Sequence, residues 1–461
     1  MKALRDPDNL LSEGLAAIRA QFKVPAGFPP AVDAAAAAAA QRAPAEHADR
    51  TAMPFVTLDP ASSTDLDQAF TIEAAGADLL LHYAIADVAW FVADGDPIDV
   101  EAWSRGETFY LPDGKAGLYP RVLAEGAASL LPDGPRPAVL FTTRVAPDGS
   151  VKLEGAERAL IRSRAKLAYD SARDADLPAG FAELSERIAA AEERRGAARV
   201  DPPEQEVEQD GTGHFTLRLR PLEPAETRNA ALSLATNMAV ADALLAAKTG
   251  LFRVMAEPDA SAVARLRHTA RAFGLDWPQA HSLKDFEASL NQRDPAQAAF
   301  MLAIRRAGNG ASYVPWQDGV KPWHSAMAAT YCHMTAPLRR LADRYVVRAA
   351  LAVANGQAVP AVVEEAFHKL GPVMAKADAR ANQIERAVID LAEAAMLSGQ
   401  EGKSFSAMVT DLGDTGARIQ LCDLPVVART TAHAVTPGDK ITVRLDRADP
   451  VRRELAFSRI A

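Results

Sequence analysis

Cysteine is nearly absent from this chain of 461 residues. Cys332 and Cys422 form no CxxC pair, and two thiolates cannot complete a zinc site alone, so a disulfide scaffold and a cysteine-built metal site are both excluded. Such usage is that of a reducing compartment. Excess positive charge is also missing. Lys and Arg number 51 against 60 Asp and Glu, a net charge of −9, so any bound polyanion needs local positive charge or metal ions. Long apolar runs are lacking too. The alanine run at residues 34–40 is short and meets Gln41 and Arg42, and no run of 18 apolar residues occurs; no transmembrane helix and no membrane partner are expected. No apolar core follows Met1-Lys2-Ala3-Leu4-Arg5-Asp6, so no secretory signal is read there and a cytoplasmic location is expected. Gly and Pro, 27 and 30 residues, are too few for a collagen-like or disordered chain. What remains is an ordinary globular balance, 49% hydrophobic and 24% charged. At roughly 150 residues per domain the length suggests about three domains.

Residues 1–52 read as an N-terminal helical arm or small accessory region. Leu10, Leu11, Leu15, Ile18 and Phe22 share a helical face; Pro25, Pro29 and Pro30 interrupt it before the alanine run. From Phe55 the pattern turns to strands, at residues 55–58, 70–72, 79–86, 139–145, 151–160 and 215–219, with a turn at Gly76 and Asp78. Helical periodicity follows at 178–197, 227–249, 259–273, 295–307, 337–355 and 361–399. Strands first and helices later predict an α+β body over residues 53–400, a mixed sheet covered by helices. Residues 403–461 alternate apolar and polar in short runs punctuated by Gly413, Gly416 and Pro437-Gly438-Asp439, which predicts a small OB-type β-barrel. This segment holds nine Lys/Arg against seven Asp/Glu, net +2, so the rest of the chain carries −11. No internal repeat is present.

The most informative stretch is Leu58-Asp59-Pro60-Ala61-Ser62-Ser63-Thr64-Asp65-Leu66-Asp67-Gln68-Ala69-Phe70. Three carboxylates fall within nine residues after a strand. Asp65 and Asp67, at i and i+2, point the same way in extended backbone. Like charges at close range destabilise one another unless a cation intervenes, and hard oxygen donors suit Mg²⁺ or Mn²⁺. The spacing is not that of an EF-hand. The rival reading is that these aspartates only close turns and cap helices.

This stretch resembles the signature of the ribonuclease II (RNB) family of 3′→5′ exoribonucleases, an Asp, five residues, then Asp-x-Asp-Asp-Ala. Further blocks resemble the same family in order: His82-Tyr83-Ala84-Ile85-Ala86-Asp87-Val88-Ala89-Trp90, Thr108-Phe109-Tyr110-Leu111-Pro112, Tyr119-Pro120-Arg121-Val122-Leu123, the run Thr330-Tyr331-Cys332-His333-Met334-Thr335-Ala336-Pro337-Leu338-Arg339-Arg340-Leu341-Ala342-Asp343, and Asn382-Gln383-Ile384-Glu385-Arg386. The resemblance implies an RNB catalytic domain followed by an RNA-binding OB barrel. It implies Asp59, Asp65 and Asp67 as metal ligands, with Gln68 in the fourth ligand position and Asp67 catalytic. Arg339 would contact the scissile phosphate, Tyr110 would pack on the terminal base, and Glu385 would lie near the terminal ribose. The implied cofactor is Mg²⁺, with Mn²⁺ as an alternative. The implied partner is RNA with a single-stranded 3′ end, with no obligate protein partner, hydrolysed to nucleoside 5′-monophosphates. Taken alone, Arg339, Arg340, Arg344 and Arg348 read as a solvated helix face paired with Asp343, Tyr110 as a packed tyrosine and Glu385 as a surface charge. His333 is set aside because the family chemistry needs no histidine.

Three departures qualify the resemblance. Gln68 replaces the fourth aspartate and brings no charge, so a second metal is expected to bind more weakly. Ala230 and Ala231 stand where the family has glutamates, so a contact to RNA backbone or ribose is expected to be missing. The 52 residues in front are too few for the family's two cold-shock barrels, so RNA access should be more open. Arg418, Lys440, Arg444 and Arg447 of the terminal barrel are then expected to carry more of the binding. The alternatives are an RNA-binding protein with a weakened or inactive site, and a specialised trimmer of tRNA or small-RNA 3′ ends.

Overall fold

A computed structural model of the chain describes residues 4–5, 10–197, 204–209, 214–220, 223–291, 294–308, 310–413, 416–432 and 434–460. Most of the residues from which the absence of a signal was read, 1–3 and 6–9, lie outside the described residues.

The architecture is the expected α+β arrangement. Seven strands form one mixed sheet in the spatial order Ser163–Ala168, Phe55–Asp59, Gln68–Ala75, Asp78–Ala86, Arg136–Val145, Val151–Ile161, Ala48–Asp49. The inner neighbours are antiparallel, and both edge strands run parallel to their neighbours. Phe-Val-Thr-Leu-Asp at residues 55–59 suits this position, because β-branched and aromatic side chains pack well on a sheet buried on both faces. Gln68–Ala75 and Asp78–Ala86 are joined by a two-residue hairpin, with Ala75 opposite Asp78. Gly76, at φ +67°, supplies the left-handed conformation that such a turn needs. The helices Pro224–Ala246 and Leu341–Ala354 contribute Leu232, Val240, Tyr345 and Val346 to a core shared with Phe70, Tyr83, Ile85 and Phe141 of the sheet. Pro224–Ala246 is long and apolar enough by composition to cross a membrane, which the search for an unbroken apolar run did not register; 61% of its most apolar window is buried inside the body.

The helix Leu10–Gln21 packs Leu11, Leu15 and Ile18 against Ile384, Val388 and Leu391 of the long helix Ala361–Leu397. The approach is close: a Cβ on Gly14 would stand 2.5 Å from the methyl carbons of Leu391. Residues Phe215–Arg220 lie between Leu4–Arg5 and Glu204–Gln209 in a small separate sheet. A further cluster around Trp277, Phe286 and Phe300 holds together the helices Ala260–Ala272, Leu283–Ala288 and Pro295–Ala307.

At the C-terminus the strands Ser404–Gly413, Gly416–Leu421, Val427–Thr430, Glu454–Arg459 and Lys440–Asp449 close into a barrel in that order. Alternate residues, among them Ile419, Leu421, Ile441, Val443 and Leu445, turn inward as the period-2 pattern predicts. Glu393 of the long helix fastens the barrel to the body. It is 3% exposed, and its Oε1 accepts the Val427 N–H at 2.8 Å and the Gln205 Nε2–H at 2.7 Å.

Burial pushes the Glu393 carboxyl up to about 8. A carboxyl whose folded value lies above its unfolded one favours folding most fully below the unfolded value, near 4.5, and loses that contribution as pH rises through the folded value. The stability of the chain should therefore fall between pH 5 and pH 8. Glu393→Gln keeps an oxygen for both donors and should flatten the fall, by up to about 1.4 kcal/mol per pH unit. Thermal melts of both proteins across that range check this.

Candidate active site

The acidic loop leaves the sheet at Asp59 and returns at Gln68. Its middle is pinned by Leu66, which is buried, donates its N–H to Ser129 Oγ at 2.8 Å and accepts the Leu130 N–H at 2.9 Å. With Leu66 turned to the core, Asp65 and Asp67 turn to the other side. Both line one cavity of about 410 Å³ together with Asp59, Tyr110 and Arg339.

Asp67 is 4% exposed. Its Oδ1 accepts the Leu338 N–H at 2.7 Å, and its Oδ2 lies 3.4 Å from Arg339 Nε. Burial raises its carboxyl to about 8 despite the opposing pull of Arg339. Burial likewise raises Asp59 to about 7, with Arg339 opposing and Asp65 adding to the rise.

The arginine run is divided by its partners. Arg340 forks onto Asp343 at 3.0 and 2.7 Å, and the same carboxylate accepts the Ala336 N–H at 2.8 Å. Arg344 is 1% exposed and pairs with buried Asp99. Arg348 pairs with Asp94 at 2.6 Å. The solvated helix face is therefore not what forms: three of the four are clamped by carboxylates. Arg339 and Arg340 both line the cavity, but Arg340 is held by Asp343, whereas 46% of the Arg339 side chain is exposed. Its own carbonyl accepts the Thr108 N–H at 3.0 Å, which ties its backbone to the segment leading to Tyr110.

Tyr110 and Lys115 are cross-strand partners in the hairpin Phe109–Leu111/Gly114–Ala116. Both reach Asp65: Lys115 Nζ is 2.7 Å from Oδ1, and the Tyr110 hydroxyl donates to Oδ2 at 3.5 Å. Lys115 also lies 3.3 Å from Glu125. Tyr110 is 54% exposed, so its ring is not a packed core tyrosine.

The opposite wall is built mainly of hydroxyl and amide groups, with Glu226, which pairs with Arg220 at 2.7 Å, on the same helix. Ser233 and Thr335 hydroxyls lie 2.9 Å apart, and Asn237 Nδ2 reaches Ser233 at 3.2 Å and the Tyr331 hydroxyl at 3.4 Å. Asn229 donates to the Leu58 carbonyl and to the Tyr169 hydroxyl. Ala230 lines the cavity, whereas Ala231 is buried. His333 also lines it, bonded to the Tyr313 hydroxyl at 3.1 Å and held neutral by burial and by neighbouring Arg340 and Arg253.

All donors around the acidic loop are hard oxygens, as a divalent cation requires. Asp59 and Asp67 fit such an ion, since a cation would offset the burial that now favours their protonated forms. The full ligand set implied by the resemblance is not assembled. Asp65 is engaged by Lys115, and the Gln68 carbonyl accepts the Tyr83 hydroxyl. Among the described residues no three His, Cys, Asp or Glu side chains are gathered closely enough to hold a metal.

The other expected contacts lie elsewhere. Glu385 lines a separate cleft beside the barrel and is not among the residues of this cavity. Arg418 and Arg447 border a cleft between the long helix and the barrel. Arg444 pairs with Asp446 at 3.0 Å on the outer surface, and Lys440 is exposed. Lys115, Tyr83 and the hydroxyl wall were not singled out from sequence. Lys115 carries no local signal, and the hydroxyl residues gain meaning only once the helix Pro224–Ala246 is packed beside the loop containing Thr335.

Comparison with known proteins agrees with this geometry. The RNB domain model matches residues 48–355, and that of the RNase II-type exonuclease C-terminal S1 domain matches residues 403–460. The chain belongs to the RNB family. Ribonuclease R of Escherichia coli (strain K12) is 24% identical over 95% of this chain and 61% of its own length. Exoribonuclease 2 of Cronobacter sakazakii is 27% identical over 84% of this chain and 63% of its own. The chain thus spans about six-tenths of these relatives. Among solved structures, the apo form of Mycoplasma genitalium RNase R superposes with a TM-score of 0.87 at 21% identity, covering 98% of this chain and 78% of that one. Yeast Ssd1, described as a pseudonuclease, gives 0.68 at 16% identity over 95% of this chain and 57% of that one.

Lys115 and a divalent cation compete for Asp65. Lys115→Met should tighten Mn²⁺ binding by up to about fivefold, the worth of a partly exposed ion pair. Calorimetric titration of the metal into both proteins reads this without any assay of activity.

Proposed function

We propose that this protein is a metal-dependent 3′→5′ exoribonuclease acting on single-stranded RNA ends in the cytoplasm. The observation that carries the reading is the meeting of Asp67 and Arg339 in one cavity with Tyr110 at its edge. The guanidinium of Arg339 offers paired donors to the scissile phosphate and offsets the charge that develops on its oxygens. The exposed ring of Tyr110 stacks on the terminal base, its hydroxyl held by Asp65. The hydroxyl wall meets the terminal ribose with neutral donors and acceptors. Asp59 and Asp67 would hold the divalent ion, which supplies water activation and stabilisation of the leaving oxygen. The water oxygen bonds to phosphorus as the bond from phosphorus to the 3′ oxygen breaks. A nucleoside 5′-monophosphate leaves, and the shortened chain keeps a 3′ hydroxyl.

A second reading, RNA binding without cleavage, draws on the engagement of Gln68 by Tyr83 and of Asp65 by Lys115.

A 5′-labelled single-stranded RNA incubated with Mg²⁺ or Mn²⁺ separates the two. The expected result is a metal-dependent ladder that shortens from the 3′ end and vanishes in Asp67→Asn. That variant should melt no lower than the parent, because its amide oxygen still accepts the Leu338 N–H. Arg339→Ala should lower the rate by about 10²–10³, the effect of removing one oxyanion donor. Intact RNA that shifts on a native gel would favour the second reading. Faster action on tRNA precursors than on unstructured RNA would mark a specialised trimmer.

A further inference from the structure

Gln68 lines the cavity with an uncharged side chain whose two ends differ. Its carbonyl is a hard oxygen that suits a cation; its amino group is a hydrogen-bond donor that suits an anion. Which end meets the cavity decides what the residue does. The strand register settles the first contact. Gln68 stands opposite Ile85, and Tyr83 lies two residues along on the same face. At that diagonal a long aromatic side chain reaches across. The Tyr83 hydroxyl is buried and donates to Gln68 Oε1.

Behind Tyr83 the hydrogen bonds run in the same sense. They begin at a backbone N–H, which can only donate. Met334 donates to Asn237 Oδ1 at 3.1 Å, so Asn237 turns Nδ2 to Ser233, 3.2 Å away. A serine hydroxyl has two lone pairs and one hydrogen. Asn237 fills one pair, and the Thr335 hydroxyl at 2.9 Å fills the other. The remaining Ser233 hydrogen goes to the Tyr83 hydroxyl, to which Ser233 is hydrogen-bonded. Tyr83 then gives its own hydrogen to Gln68. The carbonyl end of Gln68 is thereby occupied, and Nε2 opens to the cavity with no hydrogen-bond partner among the described residues.

The carboxylates agree with this sense. Of those that line the cavity, Asp65 is engaged by Lys115 and Glu226 by Arg220, which leaves Asp59 and Asp67 for a cation. A second cation would need the oxygen that Tyr83 has taken. An amide N–H in that place opposes a cation and attracts a phosphate oxygen.

We propose that Gln68 is a hydrogen-bond donor to a non-bridging oxygen of the scissile phosphate, not a metal ligand, and that Tyr83 positions it. The assignment rests on the exoribonuclease reading above and deepens it. The site uses a single divalent ion, and Gln68 works beside Arg339 on the charge that develops on the phosphate. A neutral donor does this without needing a counter-ion of its own.

The test uses the full chain. Gln68→Met keeps the length of glutamine and removes both of its polar ends. Calorimetric titration with Mn²⁺ should give a single ion per chain in the parent, and the same count and affinity in Gln68→Met. With Mg²⁺ and a 5′-labelled oligouridylate, kcat of Gln68→Met should fall by about 10², the effect of losing one oxyanion donor, with KM little changed. Tyr83→Phe should lower kcat by a smaller factor and tighten Mn²⁺ binding, because the untethered amide turns its carbonyl to the ion part of the time. The double variant should be no slower than Gln68→Met, since Tyr83 acts through Gln68; a tyrosine with only a structural role would add a loss of its own. Should Gln68→Met fail to fold, Gln68→Ala gives the same readings. Weaker Mn²⁺ binding in Gln68→Met would make Gln68 a ligand and overturn the proposal, as would a second ion bound by the parent. If the parent degrades RNA and Gln68→Met is equally fast, the Gln68 assignment falls alone. If the parent degrades no RNA with either metal, both readings fall.

Discussion

One carboxylate oxygen holds the candidate active site together. Asp67 Oδ1 accepts the backbone N–H of Leu338, 271 residues further along the chain. That bond joins the loop leaving the central sheet to the loop that presents Arg339. The second loop is stiffened from its other side by Asp343, which takes the Ala336 N–H and the Arg340 fork. Arg339 is then fixed at both ends of its own residue: its carbonyl by Thr108, its side chain by Asp67. A guanidinium on a free surface helix would lose rotamer entropy on meeting a phosphate. Here most of that loss is incurred on folding.

The same economy runs through the arginines. A chain of net −9 has no general attraction for a polyanion, so its cations must be placed. In the run from Arg339 to Arg348, three side chains answer Asp343, Asp99 and Asp94, and Arg339 answers Asp67 inside the cavity. On the barrel, Arg444 and Arg447 are answered locally while Arg418 and Arg429 are left facing one another. Both regions place arginines in a concave setting, where a phosphate is held more strongly because the surrounding protein lowers the local dielectric, although Arg339 shares its cavity with Asp67.

The sequence pattern reveals elements whose cause is local. The strands, the period-2 barrel and the shared direction of Asp65 and Asp67 follow from alternation along a few residues. Arg339 and Tyr110 were named through the resemblance, and both do line the cavity. What escaped depends on pairing across the chain. Arg344 reads as a solvated helix residue until Asp99, 245 positions earlier, is packed under it. Glu385 lies on the long helix, and a helix face seven turns along is set by packing rather than by motif spacing. Gln68 reads as a metal-facing amide, but the register that places Tyr83 on the neighbouring strand gives its carbonyl another partner. The helix Pro224–Ala246 shows the same limit in composition, since an apolar helix buried in a protein and one that crosses a bilayer satisfy one pattern.

These pairings also account for the neutral residue at position 68. Each carboxylate of the acidic loop has its own source of relief. Lys115 answers Asp65, Arg339 answers Asp67, and Asp59 feels the fields of Arg339 and Lys166. Even so, burial holds Asp59 and Asp67 near the point of protonation at neutral pH. A fourth carboxylate at residue 68 would enter the same cavity with no cation left to oppose it, and the phenol hydroxyl of Tyr83 would be its nearest donor. An amide avoids that added repulsion, and its carbonyl accepts from Tyr83 without needing a charge. Gln68 and Lys115 thus belong to one arrangement: the lysine supplies positive charge beside the loop, and the amide withholds the negative charge that a further cation would have been needed to balance.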